Sequence, residues 1–260
     1  MKRTDIQIYT LCHKDVGYGI RSNSLYTSIE CGAACREQHP AAELRDDAGP
    51  DNMSVWNPFV AENSALYWIW KNHDRGLKYV GNVQYRRILD FAEDTDFDLI
   101  FSQYDAICCK PLEFRKMTVA KQFGVCHGSK YLKLVGRIIR DNYPHRYYRK
   151  WKKYICRRNR LYYSCGFILR AADYDRYVGF LFDIFRMLNE RIGVKDVQQA
   201  VDYAQAEIAK GFLADRDPRG CRYSCQLEGF LAERIFTFWI QMNFSRILEK
   251  PYTLMENTDI

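Results

Sequence analysis

The chain has 260 residues, 47% hydrophobic and 27% charged, enough apolar sequence to bury a substantial core, which excludes disorder as the default. No apolar run approaches the roughly 18 residues of a membrane span, and MKRTDIQIYTL is too short in apolar residues for a secretory signal, so a cytoplasmic location is expected. The net charge of +7 is uneven, much of it lying in HRYYRKWKKYICRRNRLYY, residues 145–163; such a segment either binds nucleic acid or anionic headgroups, or is a solvated helix with its aromatics turned inward.

In chain order, Ile6 to Thr10 reads as a short strand running into a polar loop that begins at His13, where an α/β enzyme presents ligand-binding groups. Glu37 to Pro58 is rich in Pro, Gly and Asp and reads as loop. A helix then starts with Asn57 as N-cap and Pro58 in the first turn, and stops at Gly76. Lys78 to Leu89 reads as one strand ending in two adjacent arginines, and Tyr104 to Cys109 as another. Thr118 and Ser129 cap two predicted helices, the second halted before Pro144. Leu161 to Arg170 is strand-like. Asp173 to Arg191 places Tyr174, Tyr177, Val178, Leu181, Ile184, Phe185 and Leu188 on one core-facing stripe and ends at Gly193. Helices are predicted over Lys195–Lys210 and Gln226–Met242. Alternating strands and helices without a repeat give an α/β domain.

The ten cysteines are scattered, partly within apolar segments, and read as reduced thiols. Cys31 with Cys35, and Cys221 with Cys225, repeat a three-residue gap, whereas structural zinc sites favour a two-residue gap, so no zinc is expected.

The segments DDAGPDNMS (46–54), ENSALYWIWKN (62–72), GNVQYRRI (81–88) and LEGFLAERIFTFW (227–239), with IYTLCHK, ECGAA and YSCGFILRAADYDRY, follow one family in order and spacing. They resemble the bacterial capsular polysaccharide synthesis glycosyltransferases grouped as domain of unknown function 4422. The resemblance covers nearly the whole chain. It implies a single-domain α/β, GT-A-like fold with a mixed central sheet flanked by helices. It further implies a nucleotide-diphosphate sugar donor and a lipid-linked glycan acceptor of capsule, exopolysaccharide or O-antigen type, with hexosyl transfer as the activity. Two departures stand out: Gln84 replaces the family's histidine before Tyr85-Arg86-Arg87, and Pro50 is inserted in its Gly-Asp-Asn turn.

Chemistry narrows the candidates. A departing diphosphate needs cationic stabilisation, and arginine's planar fork binds phosphate oxygens bidentately without a metal. Arg86 and Arg87, with Tyr85, Thr10, His13, Asp51 and Asn52, are therefore the candidate donor-binding residues, and Gln84 and Glu62 the sugar or acceptor contacts. Glu233, then Glu228, could take the acceptor's proton; five residues apart on a helix, they do not share a face. Each has a structural alternative: an exposed strand-end charge or an ion pair for one of the two arginines, an ion pair for Glu233, local capping for Asp51 and Asn52. No cofactor is expected to be required. The alternative is Mg2+ or Mn2+ held by Asp94 and Asp96, part of the Asp-x-Asp run 94–98 that closely follows the candidate strand; the pairs Asp173 with Asp175, in a helix's first turn, and Asp215 with Asp217, in loop-like sequence, read as structural or solvated. Peripheral contact with anionic membrane is expected of residues 145–163, and specific nucleic-acid binding is not, because no recognition motif accompanies the charge. A rival nucleic-acid-binding role and an inactive assembly scaffold complete the readings.

Overall fold

A computed structural model of the chain describes residues 2–14, 23–211 and 225–255. The centre is a mixed sheet. Four strands, β1 (Ile6–Cys12), β2 (Tyr26–Glu30), β3 (Leu44–Arg45) and β4 (Tyr79–Gln84), run parallel in the order β4-β1-β2-β3. β1 is covered on both faces, which is why IQIYTLC reads as a near-continuous apolar run. Beyond β4, the sheet continues antiparallel through β9 (Gly166–Arg170) to β6 (Ala106–Cys109), and β10 (Ile247–Lys250) closes that edge parallel to β6. Gly81 permits the tight β4–β9 contact: a Cβ there would stand 2.8 Å from the Phe167 carbonyl oxygen and 2.7 Å from the Ile168 side chain.

Several predicted elements divide. The strand expected over 78–89 stops at Gln84, turns through Tyr85 and Arg86, and doubles back as β5 (Arg87–Ile88), antiparallel to β4. A C-terminal strand, β11 (Thr253–Leu254), pairs antiparallel with β5. The strand expected over 161–170 is two pieces, β8 (Arg160–Leu161) and β9; β8 pairs with β7 (Leu112–Glu113) in a separate two-stranded ribbon.

The helix expected from Asn57 to Gly76 is likewise two, α1 (Asn57–Val60) and α2 (Asn63–Asn72), broken at Ala61 (φ 55°, ψ −142°). Ala61 is the one non-glycine residue with positive φ among the described residues, a conformation that neighbouring contacts must enforce. Asn57 does not cap. It is the first helical residue, and its amide donates instead to the Ala61 carbonyl (2.8 Å) and Ser64 Oγ (3.2 Å), bracing the break from below. Gly229 supplies the space, since a Cβ there would stand 2.7 Å from that of Ala61.

Six further helices flank the sheet: α3 (Phe97–Gln103), α4 (Val119–His127), α5 (Lys130–Asn142), α6 (His145–Tyr154), α7 (Ala171–Ile192) and α8 (Val197–Ala209); α9 (Leu227–Asn243) completes the set. Thr118 caps α4 by accepting from Lys121 N, whereas Ser129 precedes α5 without a side-chain cap. The predicted stripe of α7 is buried, and Gly193 ends the helix in the left-handed region at φ 76°. α7 and α9 pack together over the sheet, where Phe236 stacks on Phe167 of β9 at 4.5 Å and meets Tyr177 at 5.0 Å. No helix among the described residues is long and apolar enough to cross a membrane.

Candidate active site

β1 has parallel neighbours on both sides, β2 following it in sequence and β4 arriving from the other direction. Loops leaving the carboxyl ends of such strands part from one another and open a crevice, the usual ligand position in an open α/β sheet. Leu11 of β1 is level with Gln84 of β4, and the turn after Gln84 is tied back by Tyr85 N–H donating to the Leu11 carbonyl at 3.0 Å. Tyr85 is buried. Its ring meets His13 edge-on at 4.9 Å, with its hydroxyl 3.4 Å from Nε2, so the two strand ends are joined by side chains as well.

The turn separates the paired arginines. Arg86 is exposed, its guanidinium 5.1 Å from the Tyr85 ring centroid, while its carbonyl accepts from Met255 N at 3.1 Å. Arg87 points the other way, over Tyr163 (5.1 Å) and Tyr252 (5.7 Å), and donates to Gln84 Oε1 at 2.8 Å. Gln84 then donates from Nε2 to Glu62 Oε1 at 3.1 Å. A chain Arg87–Gln84–Glu62 therefore runs across the crevice, with the amide as the relay: one end accepts from a cation and the other donates to a carboxylate. Gln84 does this without needing to titrate.

Glu233 closes the group from α9. Burial pushes its carboxyl up, Arg234 and Arg87 oppose that rise, and Glu62 adds to it. Although surrounded by protein, the side chain keeps 27% of its surface accessible. Arg234 beside it is almost fully buried and is fixed by three acceptors: Glu233 (2.7 Å), the Phe230 carbonyl (2.9 Å) and Gln122 Oε1 (2.6 Å). Four candidates from distant segments thus converge: Glu62, Gln84, Arg87 and Glu233. Cys165, at the foot of the cluster, is fully buried and its thiol is pushed well up by burial and then by the charges of Glu62 and Glu233.

Other candidates stand elsewhere. Thr10 is buried inside β1, its hydroxyl without a partner. Asp51 is exposed and engaged by Tyr67 Oη at 2.7 Å and Lys71 at 3.5 Å. Asn52 is spent on its own turn, donating to the Asp47 and Gly49 carbonyls and accepting from Ser54 N. Glu228 lies on another face of α9, as its five-residue offset from Glu233 requires.

Asp94 and Asp96 lie at the opposite end of β4 from the arginines. Asp96 caps α3 by accepting from Leu99 N at 2.9 Å, and Asp98 is bound by Lys78 and Tyr79 at the start of β4, a six-residue strand about 16 Å long. That separation parts the acidic pair from the cluster. No group of three or more His, Cys, Asp or Glu among the described residues is arranged to hold a metal ion. None of the nine described cysteines is in a disulfide; Cys35 bonds local carbonyls, and Cys221, Asp215 and Asp217 lie outside the described residues. Asp173 and Asp175 form ion pairs with Arg176 and with His73 and Arg75.

Several participants gave no sign in the sequence of the part they play. Tyr163 and Tyr252, which bracket Arg87, reach it only through long-range pairing. Asp46 is fully buried and accepts four hydrogen bonds, from Gly32 N (2.7 Å), Ala33 N (3.0 Å), Ser54 Oγ (2.5 Å) and Ser64 Oγ (2.6 Å). It anchors the loop after β2 and the start of α2, and so holds Glu62 in place. The surplus of donors was unreadable because they come from three separate segments.

The family model described as Domain of unknown function (DUF4422) matches residues 7–216. A solved structure described as the apo form of WbbM, a bifunctional glycosyltransferase, superposes with a TM-score of 0.69 at 20% identity, covering 97% of this chain and 46% of that one. The likeness is one of fold, and it matches the mixed α/β, GT-A-like architecture found here. The chain spans less than half the length of that protein. No curated protein matches the sequence.

Proposed function

The chain belongs to the DUF4422 family, and from that premise we propose that it is a glycosyltransferase taking a sugar from a nucleoside-diphosphate donor to a glycan acceptor. The observation that carries this reading is the convergence of Arg87, Gln84, Glu62 and Glu233 at the carboxyl ends of β1 and β4. Transfer breaks the bond between the anomeric carbon and the diphosphate oxygen and forms one to an acceptor hydroxyl oxygen. The electron pair leaves with the diphosphate, where Arg87, and Arg86 from the exposed side of the turn, offset the growing negative charge. The hydroxyl proton goes to Glu233, whose raised basicity and partial accessibility suit a general base. Gln84 and Glu62 orient sugar hydroxyls, and His13 and Tyr85 line the donor side.

In this scheme guanidinium charge serves in place of a tightly held divalent ion, and transfer persists after exhaustive chelation. The acceptor is a lipid-linked glycan of a bacterial surface polysaccharide. α6 supports that choice: Trp151 is buried and Tyr147 packs on Phe238, whereas Arg146, Arg149, Lys152 and Lys153 are exposed, a face suited to anionic headgroups at the cytoplasmic membrane.

The test is a panel of nucleotide sugars by thermal shift, followed by transfer assays with and without chelator. A donor at 100 times its dissociation constant should stabilise the fold by about 2.7 kcal/mol. A panel that neither stabilises the protein nor supports donor turnover defeats the reading. Activity abolished by chelation, restored by magnesium or manganese and lost in Asp94 or Asp96 variants defeats the metal-free form of it.

A further inference from the structure

Arg87 is held in place without being neutralised. Other arginines spend their charge on carboxylates: Arg75 on Asp175, Arg160 on Glu113 and Glu249, Arg234 on Glu233. Arg87 forms no ion pair among the described residues. Its hydrogen bond there goes to the neutral amide oxygen of Gln84, and its other close contacts are aromatic, Tyr163 at 5.1 Å and Tyr252 at 5.7 Å. The two rings stand 6.1 Å apart at 82°, so they form a corner and not a stack. Stacked rings would shut a guanidinium in on both faces, whereas a corner grips it from one side. Burial pushes the Tyr163 hydroxyl up to about 12, so that wall of the corner meets the cation as a neutral ring and not as a phenolate. An arginine held in this way keeps its charge, and the remaining N–H groups of its fork, for a ligand.

The two walls of the corner have different origins. Tyr163 is buried, while Tyr252 is half-buried and is brought in by the C-terminal strand. The chain leaves β10 at Lys250 and crosses to the arginine turn, where β11 sets Thr253 against Ile88 and Leu254 against Arg87. Met255 N–H then donates to the Arg86 carbonyl at 3.1 Å. Thr253 and Leu254 are exposed, so they bury little apolar surface of their own. Their effect falls on the turn they pair with and on the ring that precedes them.

We infer that residues 252–255 are a strap that sets the aim of Arg87, with Tyr252 as a positioning residue for the diphosphate-binding fork. A long cationic side chain surrenders rotamer freedom when it grips a ligand, and the corner removes much of that freedom beforehand. The strap also ties down the backbone of Arg86, so both arginines of the turn depend on the same few residues. The inference rests on the reading that Arg87 meets the donor's diphosphate, and the experiment separates the two.

The test titrates UDP, GDP and inorganic pyrophosphate into the full chain by calorimetry. Tyr252→Leu keeps apolar bulk but removes the ring's attraction for the cation, and should weaken every probe that binds by about fivefold. Tyr252→Phe keeps the ring and should bind as the wild type does. Pyrophosphate has no base to stack on a ring, so an equal loss for it marks an effect that passes through Arg87. Met255→Pro removes the N–H that bonds the Arg86 carbonyl and leaves both rings unaltered; it should weaken binding about twofold, and it decides the matter if Tyr252→Leu does not fold. Three results would each overturn the strap alone: a loss for the nucleotides but not for pyrophosphate, a loss in Tyr252→Phe equal to that in Tyr252→Leu, or wild-type affinity in both Tyr252→Leu and Met255→Pro while Arg87→Ala binds weakly. Arg87→Ala binding every probe as tightly as the wild type, or a wild type that binds none of them, would overturn the donor reading of Arg87 and the strap with it.

Discussion

Glu228 and Glu233 lie five positions apart on one helix, and burial raises the carboxyl of each, yet they are prepared for opposite chemistry. Glu233 sits beside Arg234 and within reach of Arg87, so its rise is opposed, and part of the side chain stays accessible. It can shed and take a proton. Glu228 has no accessible surface, and only the Asn189 side chain opposes the effect of burial, so its carboxyl is held neutral well above the ordinary carboxylate range. Burial is thus common to both, and what separates a carboxyl that can exchange its proton from one held neutral is the neighbouring positive charge and access to solvent.

Replacing Glu233 should produce the largest effect. Glu233→Gln keeps the shape and the bond from Arg234 but removes the base, so sugar transfer should fall by about 10²–10⁴-fold with donor affinity retained. Steady-state kinetics beside calorimetry of donor binding would measure both, and an unchanged rate would remove Glu233 from the chemistry.

Glu228 should instead write its signature on stability. Its folded carboxyl binds a proton more tightly than the unfolded one, so its contribution is fully present below the ordinary carboxylate range and is lost as pH rises towards about 8. The loss is on the order of 4 kcal/mol across that window. Urea melts at pH 5 and pH 8 should show the decline in the wild type and a much smaller one in Glu228→Gln. Equal slopes would mean that the carboxyl is not held neutral.

Arg87→Lys probes the charge opposite Glu233. A lysine keeps the positive charge but not the fork, so affinity for a nucleoside diphosphate should drop about tenfold, measured by titration calorimetry. Unaltered affinity would assign Arg87 to the Tyr163–Tyr252 bracket alone. The smallest effect belongs outside both glutamate sites: Lys153→Gln should weaken binding to anionic vesicles by about 1 kcal/mol, less so as salt rises, while leaving neutral vesicles alone. Co-sedimentation blind to this change would detach α6 from the membrane.

Much of this arrangement was legible in the residues. The α/β alternation, the apolar β1, the α7 stripe with its terminal glycine and the Tyr85-Arg86-Arg87 strand end all rest on local periodicity or on short-range turn chemistry, which a sequence carries openly. The doubling back at Tyr85 was hidden because Ile88 and Leu89 continue the apolar run that β4 begins. The break at Ala61 gave no sign, since alanine carries no preference for positive φ and the cause, Gly229, lies far along the chain. β11 is two residues long, too short for any period, yet it places Tyr252 over Arg87. Spacing separated Glu228 from Glu233 by face, but only the fold shows that one lies beside arginines and the other is shut in against Asn189.

Asp46 has a consequence for the order in which the molecule can assemble. Its four donors arrive from the turn at 32–33, from Ser54 and from Ser64, so the carboxylate is satisfied only when all three stretches have come together. Until the last arrives, the group is better left in water, because a half-made set would strand an acceptor away from solvent. The segment from Gly32 to Ser64 should therefore close late and in a single step, behaving as one cooperative unit in amide hydrogen exchange. Glu62, two residues before the final donor, becomes part of the crevice only when that latch shuts.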